Sequence, residues 1–125
     1  MALYTCGHII PDSDSVCSAI SLAYLLNKIG RAATPARQGE LNPETKFILD
    51  KFGFEAPVLK TSFAGDELFI TDYSDIAQAP QDLDKTTVVG IVDHHKLGDI
   101  TTSAPLECWI RPVGCTNTIV KEMYD

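Results

Sequence analysis

A chain of 125 residues, 45% hydrophobic and 22% charged, has the size and balance of one folded domain, which excludes a disordered, collagen-like or coiled-coil protein. A formal charge of −7, with no cluster of Lys and Arg, disfavours nucleic acid and anionic lipid and makes a cation the more natural partner. The start Met-Ala-Leu-Tyr-Thr-Cys carries no basic leader, and the longest apolar stretch, around Ile20 to Leu26, is far short of a membrane span, so no membrane association and a cytoplasmic location are expected.

In chain order, Leu3 to Cys6 reads as a short strand that ends at Gly7 and the polar turn His8-Ile9-Ile10-Pro11-Asp12-Ser13-Asp14. Val16, Ile20, Tyr24 and Ile29, with Ala19, Leu22 and Leu26 beside them, recur at helical spacing, and Gly30 stops that helix. Ala32 to Arg37 predicts a second strand. Asn42-Pro43-Glu44-Thr45 then reads as an N-cap, a proline at the first helical position and an acidic first turn, with Gly53 closing the helix. Val58-Leu59, Leu68-Phe69-Ile70 and Val88 to Val92 are short β-rich runs suited to a buried parallel sheet, with Pro80 interrupting a short helix between the last two. Leu106 to Arg111 predicts a further strand, and Thr116 to Tyr124 a helix. The alternation implies an α/β fold, a Rossmann-like, mainly parallel sheet flanked by helices, in which ligands gather beyond the carboxyl ends of the strands. Cys6, Cys17, Cys108 and Cys115 lack C-x-x-C spacing and are expected to be free, mostly buried thiols.

All three histidines lie beside carboxylates: His8 with Asp12 and Asp14, and His94 and His95 directly after Asp93. Each group follows a predicted strand, as does Asp72, so the loops can converge at one end of the sheet. Asp12 and Asp14 equally suit capping of the helix that follows, where carboxylates are favoured by its dipole. Taken together, carboxylate oxygens and imidazole nitrogens without thiolates suit a divalent ion such as Mn²⁺ better than structural zinc, with Mg²⁺ and Co²⁺ as substitutes. A carboxylate such as Asp72 can bridge two ions, and two-metal sites clamp a phosphoryl group for in-line displacement. The chemistry expected is hydrolysis of a phosphate ester or phosphoanhydride.

The segment Gly7 to Asp14 resembles the first motif, and Val92-Asp93-His94-His95 the naming motif, of the DHH phosphoesterase superfamily. Ala36 to Thr45, Asp93 to Ile100 and Arg111 to Thr118 are similar to segments of family II, manganese-dependent inorganic pyrophosphatases. This resemblance implies hydrolysis of inorganic pyrophosphate with two Mn²⁺ per site: His8, Asp12 and Asp72 on one ion, and Asp14, Asp72 and His94 on the other. It further implies that His95 meets the substrate phosphate, that Asp93 orients an imidazole or the loop, and that the protein is a homodimer. The usual Asp-His-Asn of the family is here Asp72-Tyr73-Ser74, which alters the surroundings of the bridging carboxylate. On the same resemblance, residues 1–125 are the N-terminal DHH domain without the C-terminal, substrate-gripping domain, and turnover by these residues alone is open. Two other readings stand beside this one. Asp72-Tyr73-Ser74-Asp75 resembles the second motif of DHH phosphodiesterases that act on short oligonucleotides or cyclic dinucleotides, and a non-catalytic, metal-binding, self-associating module would fit an apolar C-terminal helix.

Overall fold

The computed structural model describes residues 1–125. Six strands, β1 (Leu3–Cys6), β2 (Thr34–Arg37), β3 (Val58–Leu59), β4 (Glu67–Thr71), β5 (Thr87–Asp93) and β6 (Glu107–Ile110), alternate in part with α1 (Ser13–Lys28), α2 (Pro43–Phe52) and α3 (Thr116–Tyr124). Every paired strand is parallel, in the order β3-β2-β1-β4-β5-β6. The α/β expectation is met. From β1 the chain builds outward to β2 and β3, then returns to place β4 on the other side of β1 and builds outward again. The strand order therefore reverses between β1 and β4, and in such sheets the crevice beyond that junction is where ligands sit.

Local chemistry sets the helix ends. Asp12 accepts from the Ser15 N–H at the start of α1, Asn42 accepts from the Thr45 N–H at the start of α2, and Gly53, at φ 74°, closes α2 in the left-handed conformation that glycine adopts without strain. The pleat sends alternate side chains of the sheet into two core layers. Cys6, Ala36, Leu68, Ile70 and Ile91 face one layer with Phe63 and Tyr73. Leu3, Phe69 and Val92 face the other, where Leu22 and Leu26 of α1 and Ile119 and Val120 of α3 cover them. The first layer is closed by loops, with Leu83, Ile100 and Leu106 packed against it, rather than by an α-helix. Between β4 and β5 the chain makes two short 3-10 turns, Ile76–Gln78 and Leu83–Lys85, on either side of Pro80.

Three expectations need correction. The buried stripe of α1 is Val16, Ala19, Leu22, Ala23 and Leu26, whereas Tyr24 and Ile29 are exposed, because the smaller residues let the helix lie close to the sheet. Only Cys6 among the four free thiols is buried, and Cys108 is exposed on the edge strand β6. The apolar residues Ile119 and Val120 of α3 are buried against the sheet layer rather than exposed, while Tyr124 of the same helix is exposed. No helix is long and apolar enough to cross a membrane.

Candidate metal centre

The residues singled out in the sequence meet beyond the carboxyl ends of β1, β4 and β5. His8 follows β1, Asp12 and Asp14 open α1, Asp72 follows β4, and Asp93 ends β5 with His94 and His95 after it. The central member is Asp72, 2% exposed, whose two carboxylate oxygens face different histidines. Its Oδ2 lies 3.2 Å from His8 Nε2, and its Oδ1 lies 3.2 Å from His94 Nε2. Asp12 Oδ1 is 3.5 Å from His8 Nε2, and Asp14 Oδ2 is 3.4 Å from His94 Nε2. Donor atoms of His8, Asp12 and Asp72 lie within 4.8 Å of one another, as do those of Asp72, Asp93, His94 and His95. Asp72 is also the one non-glycine residue with positive φ, at 70°, in a region that L residues rarely adopt and that concentrates at functional sites.

Proton placement follows from the partners. His94 Nδ1 lies 3.1 Å from the Val113 carbonyl, which only accepts, so Nδ1 carries hydrogen and donates. In the neutral ring, the Nε2 lone pair then points toward the oxygens of Asp14 and Asp72. Lone pairs facing lone pairs repel unless a cation stands between them. At His95 the pattern differs: Nδ1 lies 2.7 Å from Asp93 Oδ1, which leaves Nε2 available. That same Asp93 oxygen accepts from the His94 and His95 backbone N–H groups at 2.8 and 3.2 Å, so it fixes the turn that carries both rings.

The electrostatics are those of acids crowded around one buried carboxylate. Burial pushes the Asp72 carboxyl upward, and the charges of Asp14 and Asp12 add to this against the hydrogen bond from His8. Burial alone would lower His8, but its bond to Asp72 and the nearby Asp12 and Asp72 charges outweigh that and raise it above the ordinary histidine value. His95 behaves alike, with burial overcome by Asp93 and Asp72.

The donor set fits a divalent cation. Asp93 is wholly buried, yet its Oδ2 has no hydrogen-bond partner, an orphan that a nearby positive charge would compensate. Buried carboxylates converge with imidazole nitrogens, thiolates are absent from the set, and oxygen and nitrogen donors of this mixture are those of Mn²⁺, Mg²⁺ or Co²⁺.

Two supporting elements were not assigned roles from the sequence. The amino end of α3 grips Asp14: the Thr116 N–H donates to Oδ2 at 2.8 Å, the Asn117 N–H to Oδ1 at 3.1 Å, and Asn117 Nδ2 to Oδ1 at 2.8 Å. Thr116 Oγ1 donates to Asp72 Oδ1 at 3.0 Å. The first N–H groups of a helix lack intrahelical partners, so a carboxylate from α1 caps α3. The sequence signal was Thr116-Asn117 at a helix start, but their acceptor lies about a hundred positions away. The second element is a clasp between loops. The Gly98 N–H donates to Ser74 Oγ at 2.7 Å and the Ile76 N–H to Asp99 Oδ1 at 2.8 Å. Gly98 is required there, since a Cβ would sit 2.4 Å from the Ser74 carbonyl oxygen. The clasp helps form a cleft of about 310 Å³ lined by His8, Asp72, Ser74, Gln78, His95 and Lys96.

Comparison with known proteins shows what the chain resembles. The model of the DHH family, N-terminal domain, matches residues 2–125. The chain is 47% identical to a probable manganese-dependent inorganic pyrophosphatase of Archaeoglobus fulgidus, across 98% of this chain and 42% of that protein. It is 44% identical to the manganese-dependent inorganic pyrophosphatase of Methanocaldococcus jannaschii, across 97% of this chain and 38% of that one. A crystal structure described as a family II inorganic pyrophosphatase of Methanococcus jannaschii superposes with a TM-score of 0.90 at 43% identity, covering 98% of this chain and 38% of that chain. An exopolyphosphatase-related protein of Bacteroides fragilis, 13% identical with a TM-score of 0.64, shares the fold. The chain thus spans about two fifths of the length of the pyrophosphatases it matches.

Proposed function

The chain belongs to the DHH family as its N-terminal domain, and from that premise we propose that it supplies the metal-binding half of a manganese-dependent inorganic pyrophosphatase. The observation that carries the reading is Asp72, whose two oxygens face His8 and His94 separately and so divide the donors into two sets that share one carboxylate. His8, Asp12 and Asp72 would hold one Mn²⁺, and Asp14, Asp72 and His94 a second, with Co²⁺ or Mg²⁺ as substitutes. Bound there, the ions would supply Lewis-acid charge for the phosphoryl oxygens and lower the pKa of a water for attack on phosphorus.

The protein's own residues do the rest. Asp93 holds His95 through Nδ1, so Nε2 is the atom turned over to the substrate. The Asp93 carboxylate on Nδ1 would support an imidazolium whose Nε2–H donates a proton to the departing phosphate. Lys96 lines the same cleft and adds positive charge against the phosphoanhydride. Residues 1–125 are read as one domain that works with a C-terminal, substrate-gripping domain of the kind the resemblance implies. The proposal also takes the protein to be a cytoplasmic homodimer without nucleic-acid or membrane partners. Its four free cysteines suit a reducing compartment, and a charge of −7 without a cluster of Lys and Arg disfavours nucleic acid and anionic lipid.

Chelator-stripped protein should bind Mn²⁺, and whatever phosphate it then releases from pyrophosphate should fall about 100-fold or more in His95→Ala, which retains the metal. Absence of Mn²⁺ binding would sink the reading. Hydrolysis of dinucleotides but not of pyrophosphate would move the assignment to a DHH phosphodiesterase, for which Tyr73-Ser74-Asp75 after Asp72 is the favouring feature.

A further inference from the structure

We infer that the segment from Arg37 to Thr45 positions the His8 side of the centre, with Gln38 as the residue that sets it. The inference rests on the manganese reading above and goes beyond it by assigning that segment a role. Strand β2 lies beside β1 in register, with Ala36 opposite Cys6, so the chain leaves β2 next to the loop that carries His8. Gln38 is 8% exposed, and its Nε2 donates to the Gly7 carbonyl at 2.8 Å and to the Gln78 carbonyl at 3.2 Å. One amide nitrogen has two hydrogens, and both are spent on the backbones of the two loops that bring His8 and Gln78 to the lining of the cleft.

The next contacts continue along the same loop. Gly39 packs against it so closely that a Cβ would lie 2.7 Å from the Ile9 carbonyl oxygen and 3.1 Å from Pro11 Cδ. At the far end, Ser13, which stands between Asp12 and Asp14, bonds the Glu44 carboxylate and lies 3.0 Å from Thr45 Oγ1. Thr45 is itself fully buried and tied by its N–H to Asn42. The loop that carries His8 and Asp12 is therefore held at Gly7, Ile9 and Ser13 by one neighbouring segment. His8 has no comparable bond from α3, whose donors go to Asp14 and Asp72. Gln38 is a positioning residue: it touches neither the metal donors nor the space for substrate, and it acts through the backbone of Gly7.

The test uses the 125-residue chain and the electron paramagnetic resonance signal of free Mn²⁺ to read affinity. Gln38→Met keeps the volume and removes both donors; it should weaken Mn²⁺ binding about ten-fold, as loss of an outer partner does. The distinguishing readout is coupling. Combined with His8→Ala, Gln38→Met should add little further loss, whereas combined with His94→Ala it should retain its whole effect. Gln38→Asn, which is shorter but still carries the amide, provides a milder version of the same cycle should the methionine variant fold poorly. Penalties that add equally on both backgrounds, or a lowered melting temperature with unchanged Mn²⁺ affinity, would overturn the inference and leave the manganese reading intact. A wild-type chain that binds no Mn²⁺ would overturn both.

Discussion

Asp12 and Asp14 are two residues apart on one helix start, yet Asp14 has a side chain 17% exposed with α3 donors on both oxygens, while Asp12 is 57% exposed. Asp12 also spends one oxygen on the Ser15 N–H of its own helix. The His94 side is thus organised by a helix terminus and by the Val113 carbonyl, and the His8 side by a loop and its brace from β2. The difference teaches that one set of donor groups is held in place by distant secondary structure and the other by neighbouring backbone. The two should then respond differently to mutation.

The largest effect is expected where they join. Asp72→Asn retains a residue type that tolerates the left-handed backbone but removes the shared charge. Mn²⁺ binding should fall on both sides by more than about 100-fold, beyond what loss of an outer partner produces. Calorimetric titration would check this, and loss of only one binding event would break the picture of a common carboxylate. A smaller effect is expected from Asn117→Leu, which strips the side-chain donor from Asp14. Affinity should drop about ten-fold on the His94 side alone, with about 1.5–3 kcal/mol of folding stability lost, as for a hydrogen bond to a charged group. Denaturant unfolding alongside Mn²⁺ titration reads both, and an equal loss on the His8 side would show that α3 supports the centre as a whole.

The smallest effect is a pH slope. His8 and His95 have pKa values raised above the ordinary histidine range, so the stability they contribute without metal is fully present below about pH 6.5 and is lost as pH rises through their folded-state values. Asp72, also raised, acts with the same sign at lower pH. Chelated protein should therefore melt at a lower temperature at pH 8 than at pH 6, while the stabilisation conferred by Mn²⁺ grows with pH as its donors lose protons. His8, with a side chain 15% exposed, should carry more of the slope than His95 at 53%, where solvent screens the pair. Thermal melts of His8→Ala and His95→Ala at both pH values would sharpen the contrast.

Much of this organisation was legible in the sequence because it was written locally. Strand runs were short and apolar, Asn42-Pro43-Glu44 marked a helix start, and each histidine stood beside an aspartate. The stripe of α1 was harder, since Ala19 and Ala23 are buried where Tyr24 is not, and a pattern of large residues alone points to the wrong face. The grip of Asn117 on Asp14 spans 103 positions and depends on where α3 lands. The reach of Gln38 to Gly7 depends on the pairing of β1 with β2, which no local pattern encodes.

The left-handed backbone at Asp72 has a consequence for how such a centre can be varied. At φ 70°, only glycine, asparagine and aspartate fit with little strain, and of these aspartate alone brings a carboxylate. A glutamate would bring the charge on a longer arm but against the backbone, and a single-nucleotide route from Asp to Glu would arrive at a misfit. Diversity in metal preference among descendants of this scaffold would then have to be explored at the surrounding positions, with position 72 as the fixed point of the search.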